Sequence, residues 1–133
     1  MVIKARIKLP SIQPHMNNAY EIGLLNSAIK EELKASYTYE KEFHSLHESE
    51  SVLREEIEEA QEEILKIGEL FDKLHRALRD DDVRTYLEVL GDIRQAGWDL
   101  LREAAQVSAM SQKSIDSFID TDEVKWRHFD GTT

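Results

Sequence analysis

One run of apolar residues constrains this chain more than any other feature. Within residues 49–78, apolar side chains recur at alternating steps of four and three residues. The run consists of Leu53, Ile57, Ala60, Ile64, Ile67, Phe71, Leu74 and Leu78. This spacing places the side chains on one stripe of a long α-helix, as in helical bundles and coiled coils. Since such a stripe must be buried against other helices, we expect an all-α protein.

A second long helix is expected after a short polar interruption at residues 79–82. Asp82 is a good N-cap for a helix over residues 83–113. Its buried stripe is predicted to contain Tyr86, Leu90, Ile93, Gly97, Leu100, Ala104 and Val107. A separate, short last helix is expected around residues 115–119. Because the link between the two long helices is short, they should run antiparallel.

An earlier helix is expected to cover this pair. Asn17 or Asn18 can cap a helix that begins near Ala19, and the helical period is lost at residues 42–48. The predicted fold is therefore an antiparallel helical bundle of two long helices plus one or two covering helices. The regular heptad further predicts either a homodimer or a homotetramer.

The N-terminal residues follow a different pattern, with apolar residues alternating with basic ones. The apolar members are Ile3, Ala5, Ile7 and Leu9. This period of two predicts a short strand, and its strand-like partner would be residues 124–129, in the same chain or in another subunit. We therefore expect an N-terminal arm over residues 1–16, a helical domain over residues 17–119 and a C-terminal tail over residues 120–133.

The composition limits the classes of function. The chain has 27 Asp and Glu against 17 Lys and Arg, a net charge of −10, and no cysteine. Disulfides and thiolate metal sites are thus excluded, and a nucleic-acid partner is disfavoured. No apolar run approaches the length of a membrane span, and no signal peptide is evident, so the cytoplasm is the expected location. The acidic charge fits a cationic partner such as a divalent metal; solubility alone is the alternative explanation.

Carboxylates offer the main candidate chemistry. Glu56 and Glu59 are three residues apart beside the apolar stripe, and the antiparallel register places Glu103 opposite them. Carboxylates brought this close repel one another unless a cation lies between them, and Mg²⁺ or Mn²⁺ prefers such oxygen ligands. A solvated acidic face, or neutralisation by Arg54 or Arg102, is the simpler alternative.

Three segments carry a family resemblance. Residues 43–48, 52–63 and 103–113 together resemble MazG-like proteins of the phage and prophage type. That family belongs to the all-α nucleoside triphosphate pyrophosphatases, with dimeric dUTPases and MazG. The resemblance covers about residues 20–115. It implies a MazG-like fold in which an EExxE motif on one helix and an ExxD motif on the next bind Mg²⁺. It also implies an activity, the cleavage of a nucleoside triphosphate between its α and β phosphates.

The motifs carry over residue by residue, with one departure. Residues 55–59 match EExxE, and the implied metal ligands are Glu56 and Glu59. The second motif matches from Glu103, but Gln106 stands where the acid should be. Because glutamine offers one neutral oxygen, a metal would be held less tightly there, which bears on catalysis more than on fold. Gln106 would then contact the substrate.

Other positions offer alternatives. Glu88 and Asp92 also resemble the second motif, but their spacing is ExxxD and the register places them far from Glu56. Lys113 and His47 are predicted to meet at one end of the site, where a lysine could hold a phosphate. The simpler interpretation of Lys113 is a lysine at the end of a helix, where the helix dipole favours a positive charge. The simpler interpretation of His47 is a histidine that caps a helix or packs against a loop.

Three functions follow from these observations. The first is Mg²⁺-dependent pyrophosphohydrolysis of a nucleoside triphosphate. The second is a non-catalytic helical oligomer that binds a partner protein or a nucleotide. The third, a ferritin-like carboxylate bundle, is the least favoured. That class uses a Glu-x-x-His pair on each of two helices, and here His75, three residues after Asp72, has no counterpart.

Overall fold

Three helices make up most of the chain in the computed structural model. The structure describes residues 4–7, 9, 10, 12, 18–38 and 42–120. The helices are α1 (Ala19–Tyr37), α2 (Leu46–Arg79) and α3 (Val83–Phe118). Contacts join α2 with α3 and α1 with α3, which confirms the predicted all-α helical bundle. None of these helices combines the length and apolarity that a membrane span requires.

Both predicted N-caps are present. The Asn18 carboxamide oxygen accepts the backbone N–H groups of Tyr20 at 3.0 Å and Glu21 at 3.1 Å, at the start of α1. The Asp82 carboxylate accepts the N–H of Thr85 at 3.1 Å and its hydroxyl at 2.6 Å, at the start of α3. Each cap satisfies N–H groups that have no partner within the helix, and so fixes where the helix begins.

The link between α2 and α3 is a Schellman motif. Asp82 N–H donates to Ala77 O at 3.0 Å, and Asp81 N–H donates to Leu78 O at 3.2 Å. Asp81 adopts φ 51°, the left-handed conformation that this motif needs after the last helical turn. The chain therefore ends one helix and caps the next within three residues, which holds α2 and α3 antiparallel.

The predicted separate helix at residues 115–119 is wrong, because α3 continues without a break to Phe118. The stretch that suggested a break contains serines but no proline or glycine. Ser111, Ser114 and Ser117 each donate a hydrogen bond to the carbonyl four residues earlier, at 2.7–2.9 Å. Their hydroxyls thereby join the helix instead of ending it.

The predicted N-terminal strand reduces, within the described residues, to one isolated parallel bridge between Ala5 and Ile119. Ala5 N–H donates to Phe118 O, and Asp120 N–H donates to Ala5 O, each at 2.8 Å. The Arg6 guanidinium contacts the Asp120 carboxylate at 3.1 Å. The partner is thus the end of α3, and the predicted pairing with residues 124–129 lies outside the described residues.

The chain divides into two units, each with a core of its own. The terminal unit comprises Met1–Arg54 and Ala105–Thr133, and the hairpin unit comprises Glu55–Ala104. The terminal core consists of Leu33, Phe43, Ala109 and Met110. The hairpin core consists of Leu70, Leu74, Val89 and Ala96. Helices α2 and α3 run through both units.

The buried face of the hairpin unit is rotated from the predicted stripes. Leu70 and Ala77 on α2, with Val89 and Ala96 on α3, are buried, although none belonged to a predicted stripe. We assign each helix position to one of seven heptad columns, a to g, and these four residues form column d. Column a includes Ile67 and Leu74 on α2 and Tyr86 and Ile93 on α3, and the two helices pair through columns a and d. The predicted stripes combined column a with column e, the next residue after d. Column e is exposed on both helices, with Ile57, Ile64, Phe71, Leu78, Val83 and Leu90 showing 39–69% exposure.

Candidate metal site

The seam between α2 and α3 changes from apolar to acidic along the hairpin unit. From the turn outward, column d reads Ala77, Leu70, Glu63 and Glu56 on α2, and Val89, Ala96 and Glu103 on α3. Carboxylates therefore occupy positions that hold core residues nearer the turn. We call Glu56, Glu59, Glu63 and Glu103 the glutamate cluster.

Three members of the cluster lie within reach of a single ion. Glu56, Glu59 and Glu103 are each partly buried, and each offers a carboxylate oxygen within 4.8 Å of the others. The antiparallel register had predicted this proximity; their role as ligands stays a prediction. Oxygens on opposite sides of Mg²⁺ are about 4 Å apart, and those around Ca²⁺ about 5 Å. The oxygen donors and their spacing therefore fit a hard divalent cation after small side-chain adjustments.

The electrostatics of the cluster are those of carboxylates that repel one another. Partial burial raises the pKa of Glu103, and a hydrogen bond with Glu59 and the charge of Glu59 raise it further. The charge of Glu63 acts in the same direction, while the Arg102 guanidinium opposes it. The protein thus holds its negative charges together at a free-energy cost that a bound cation would offset.

Glu63 was not among the predicted ligands. One of its carboxylate oxygens, Oε2, is buried and has no hydrogen-bond partner among the described residues. A buried carboxylate oxygen is normally paired with a donor or a cation. Its spacing of four residues from Glu59, which places both on one side of α2, is the sequence signal that could have identified it.

The simpler alternative of arginine neutralisation is only partly met. Arg54 forms an ion pair with Glu50, one turn earlier on α2. Arg102 lowers the pKa of Glu103, but the effects that raise it prevail. Arg102 therefore does not bring the pKa of Glu103 back to its ordinary value, and Arg54 pairs with a carboxylate outside the cluster.

The alternative second motif does not join the cluster. Glu88 forms an exposed ion pair with Arg84 at 3.1 Å, and Asp92 is also exposed. Within residues 4–7, 9, 10, 12, 18–38 and 42–120, the acidic group that could hold a metal contains Glu103 and neither of these residues. Of the two candidates on α3, Glu103 is the one that lies beside Glu56 and Glu59.

Gln106, a predicted substrate contact, lies in the terminal unit. Its side-chain amide donates to the Glu32 carboxylate at 3.4 Å, which links α3 to α1. Glu32 was not singled out in the sequence. An amide that already donates to a carboxylate is oriented by it, so Gln106 serves at least to tie α1 to α3.

Lys113, predicted either to hold a phosphate beside His47 or to be a helix-end lysine, is buried. Its ammonium donates to Ser36 O at 3.3 Å and lies 4.8 Å from the ring centre of Phe43 and 5.3 Å from that of Tyr37. Only 4% of Lys113 is exposed, whereas His47 is exposed on the first turn of α2. Protein groups therefore surround the ammonium of Lys113. Neither Lys113 nor His47 belongs to the acidic group that could hold a metal.

Tyr37, which contacts Lys113, also belongs to a polar network with Asp116. Burial, reinforced by the charges of Asp116 and Glu42 and by a hydrogen bond with Asp116, raises the pKa of Tyr37 to about 12. Asp116 also accepts a hydrogen bond from Gln112 at 3.0 Å. This network orders the end of α1 against α3.

No known protein family, curated protein or solved structure matches the chain in the comparisons made. The similarity to MazG-like proteins therefore stays a prediction from the motifs, and the geometry of the glutamate cluster must carry any functional conclusion.

Proposed function

We propose that the protein binds a divalent cation through Glu56, Glu59 and Glu103 and hydrolyses a nucleoside triphosphate to the monophosphate and pyrophosphate. The observation that carries the proposal is the meeting of these three carboxylates, within 4.8 Å, at the acidic end of the seam between α2 and α3. The nucleotide half of the proposal is supported by the resemblance of residues 52–63 and 103–113 to MazG-like motifs.

The free energy of the cluster favours a cation. Partly buried carboxylates lose hydration, and a neighbouring like charge disfavours the ionised form. Burial raises the pKa of Glu103, and the hydrogen bond with Glu59 and the charge of Glu59 raise it further. Since the donors are all carboxylate oxygens, Mg²⁺ or Mn²⁺ is the expected ion.

Each residue would have a distinct part. Glu56 and Glu59 would hold the ion from consecutive turns of α2, and Glu103 from α3. Glu63 Oε2, which is buried and accepts no hydrogen bond from the part of the chain that the structure describes, would accept one from a water molecule beside the cluster. A divalent ion at such a site polarises phosphoryl oxygens and lowers the pKa of bound water.

Calorimetric titration with Mg²⁺ and Mn²⁺ tests the binding step. We expect wild type to bind and Glu56→Gln/Glu59→Gln to lose binding. The matched control is Glu55→Gln/Glu58→Gln, which removes the same charge from exposed positions on the same helix. If wild type binds neither ion, even with a non-hydrolysable nucleotide present, the proposal fails.

Pyrophosphate release from a panel of ribo- and deoxyribonucleoside triphosphates tests the reaction. The Glu56→Gln/Glu59→Gln variant should lose at least about 100-fold in rate, as when charge stabilisation is removed from an active site. The Glu55→Gln/Glu58→Gln control should keep the wild-type rate. Equal rates in both variants would separate any activity from the cluster.

The second candidate is a helical protein that binds the ion without turnover. It is favoured by Gln106, which replaces an acid of the family motif and is already hydrogen-bonded to Glu32. Metal binding without pyrophosphate release from any nucleotide would support this alternative. In that case Gln106→Asp, which restores the ExxD spacing from Glu103, is the variant in which to look for activity.

A further inference from the structure

The hairpin unit has an apolar face that neither of its helices covers. It is formed by column e of both helices and, on α3, by column b, which lies beside column e. We define the apolar face by Ile57, Ile64, Phe71, Leu78, Val83, Leu87, Leu90 and Leu101, each 39–69% exposed. Its residues on α2 recur every seven positions from 57 to 78.

These columns lie on one side of the hairpin. In an antiparallel helix pair, column e of one helix is adjacent to column e of the other, and column g to column g. The opposite side, column g, is polar in this unit: Glu59, Lys66, Lys73, Thr85, Asp92 and Asp99. One side of the hairpin, formed by column e, is therefore apolar, and the opposite side, formed by column g, is polar, with the buried seam between them.

The size of the apolar face is that of a protein interface. At the observed exposures its eight side chains present roughly 800 Å² of surface, about what each partner contributes to a stable complex. Monomeric proteins rarely expose contiguous apolar patches larger than a few hundred Å². Each helix carries apolar side chains in columns a, d and e, the pattern of a helix in a bundle of more than two.

The charge distribution indicates which partner fits. The chain has a net charge of −10, yet none of the Asp and Glu residues of this unit that lie on α2 or α3 falls in column e or b. A basic partner would find acidic groups only at the turn, where Asp81 and Asp82 lie beside Leu78 and Val83, and an acidic partner would find only Arg94 and His75. A second copy of this acidic chain meets least repulsion at this face, where the same apolar columns can pack against themselves.

We propose that the apolar face docks a second copy of the chain, so that two hairpin units form a four-helix bundle. The dimer would cover column e of each helix, which flanks the seam already formed by columns a and d within one hairpin, and would leave the polar column g in solvent. Since the glutamate cluster lies in columns d and g, the interface does not include it. The dimer and the proposed metal site can thus fail independently.

Sedimentation equilibrium of the full chain tests the proposal. Wild type should be dimeric, and Ile64→Glu/Phe71→Glu should weaken association at least about 100-fold, because it buries two charges in each copy. The matched control is Leu65→Glu, which changes a neighbour that is 68% exposed but lies in column f, on the outer surface. This control should stay dimeric. A monomeric wild type, or a dimer that persists in Ile64→Glu/Phe71→Glu, overturns the proposal.

Cross-linking gives a second readout that does not depend on a charged variant folding. The chain has no cysteine, so a single introduced cysteine can form a disulfide only between copies. Because a disulfide requires Cα atoms within about 7 Å, a longer bismaleimide linker is used, and Ile64→Cys and Phe71→Cys should give covalent dimers while Leu65→Cys should not. Equal cross-linking at all three positions would indicate random collision and would contradict a specific interface.

Discussion

Lys113 carries its charge into the interior of the terminal unit, where two aromatic rings and a carbonyl replace water. We expect Lys113→Ala to lower the free energy of unfolding by about 1–3 kcal/mol, since it removes a desolvated cation–π contact and a charged hydrogen bond. Urea denaturation followed by circular dichroism measures this. The control, Lys66→Ala on the exposed surface of α2, should change stability by less than about 0.5 kcal/mol. Lost activity at unchanged stability would instead support the phosphate role.

Tyr37 should titrate later than an ordinary tyrosine. Burial and Asp116 raise its pKa from 10.0 to about 12. Because the folded state holds the proton more tightly, the associated stability is complete below pH 10 and is lost as the pH rises from 10 to about 12. Ultraviolet absorbance of tyrosinate should show a late-titrating group that Tyr37→Phe removes. Tyr20→Phe, at a position 74% exposed, should leave the late-titrating group in place; loss of that group in Tyr20→Phe would refute the assignment.

For individual residues, positions that follow from spacing along the chain could be predicted from the sequence. Which side of a helix faces its partner could not be predicted. The proximity of Glu56, Glu59 and Glu103 could be predicted because a short link fixes the antiparallel register. The burial of Lys113 could not be predicted, because it depends on the rings of Tyr37 and Phe43, which lie outside α3. Glu63 was missed because its inward position follows only from knowing that column d faces the partner helix.

Among the elements, the link between α2 and α3 holds the one residue in the described part of the chain, other than glycine, with a positive φ. Asp81 adopts φ 51° there, a conformation that glycine adopts without steric cost. We expect Asp81→Gly to raise the free energy of unfolding by about 0.5–1 kcal/mol, measured by thermal or urea denaturation. Asp80→Gly, at a residue outside the left-handed region, should destabilise. If both variants behave alike, the conformation of Asp81 is not what limits the turn.

The helix ends could be predicted because they depend on local chemistry. Asn18 and Asp82 are caps whose hydrogen bonds reach only two or three residues along the chain. The choice between columns d and e could not be predicted in the same way. Both columns are apolar along much of each long helix, so a period of four and three fits either one. Only the packing of α2 on α3 shows which column faces inward.

On the scale of the whole molecule, the hairpin unit separates assembly from chemistry. Column e is apolar and free of acidic residues, column d changes from apolar to acidic, and column g is polar. A dimer formed through column e would leave the glutamate cluster reachable from the column g side. One pair of helices would thus supply an internal seam, a docking face and a candidate metal site from three neighbouring columns.

The glutamate cluster should lower the stability of the protein when no metal is bound. We expect Glu103→Gln to raise the melting temperature without metal, because it removes a carboxylate whose pKa is raised by burial and by Glu59. A raised carboxyl pKa means that stability is complete below the pKa of the unfolded chain and falls as the pH rises through the folded value. The gain in the variant should therefore be larger at neutral pH than in acid.

Added Mg²⁺ should reverse the order of the two proteins. At a concentration 100 times its Kd, an ion that binds only the folded state stabilises it by about 2.7 kcal/mol. Wild type should gain this amount, while Glu103→Gln, which lacks one of the three carboxylates, should gain much less. Scanning calorimetry of both proteins, with EDTA and with Mg²⁺, measures the two effects together. A variant that is less stable than wild type in EDTA would mean that Glu103 contributes to packing, and equal gains with Mg²⁺ would place the ion elsewhere.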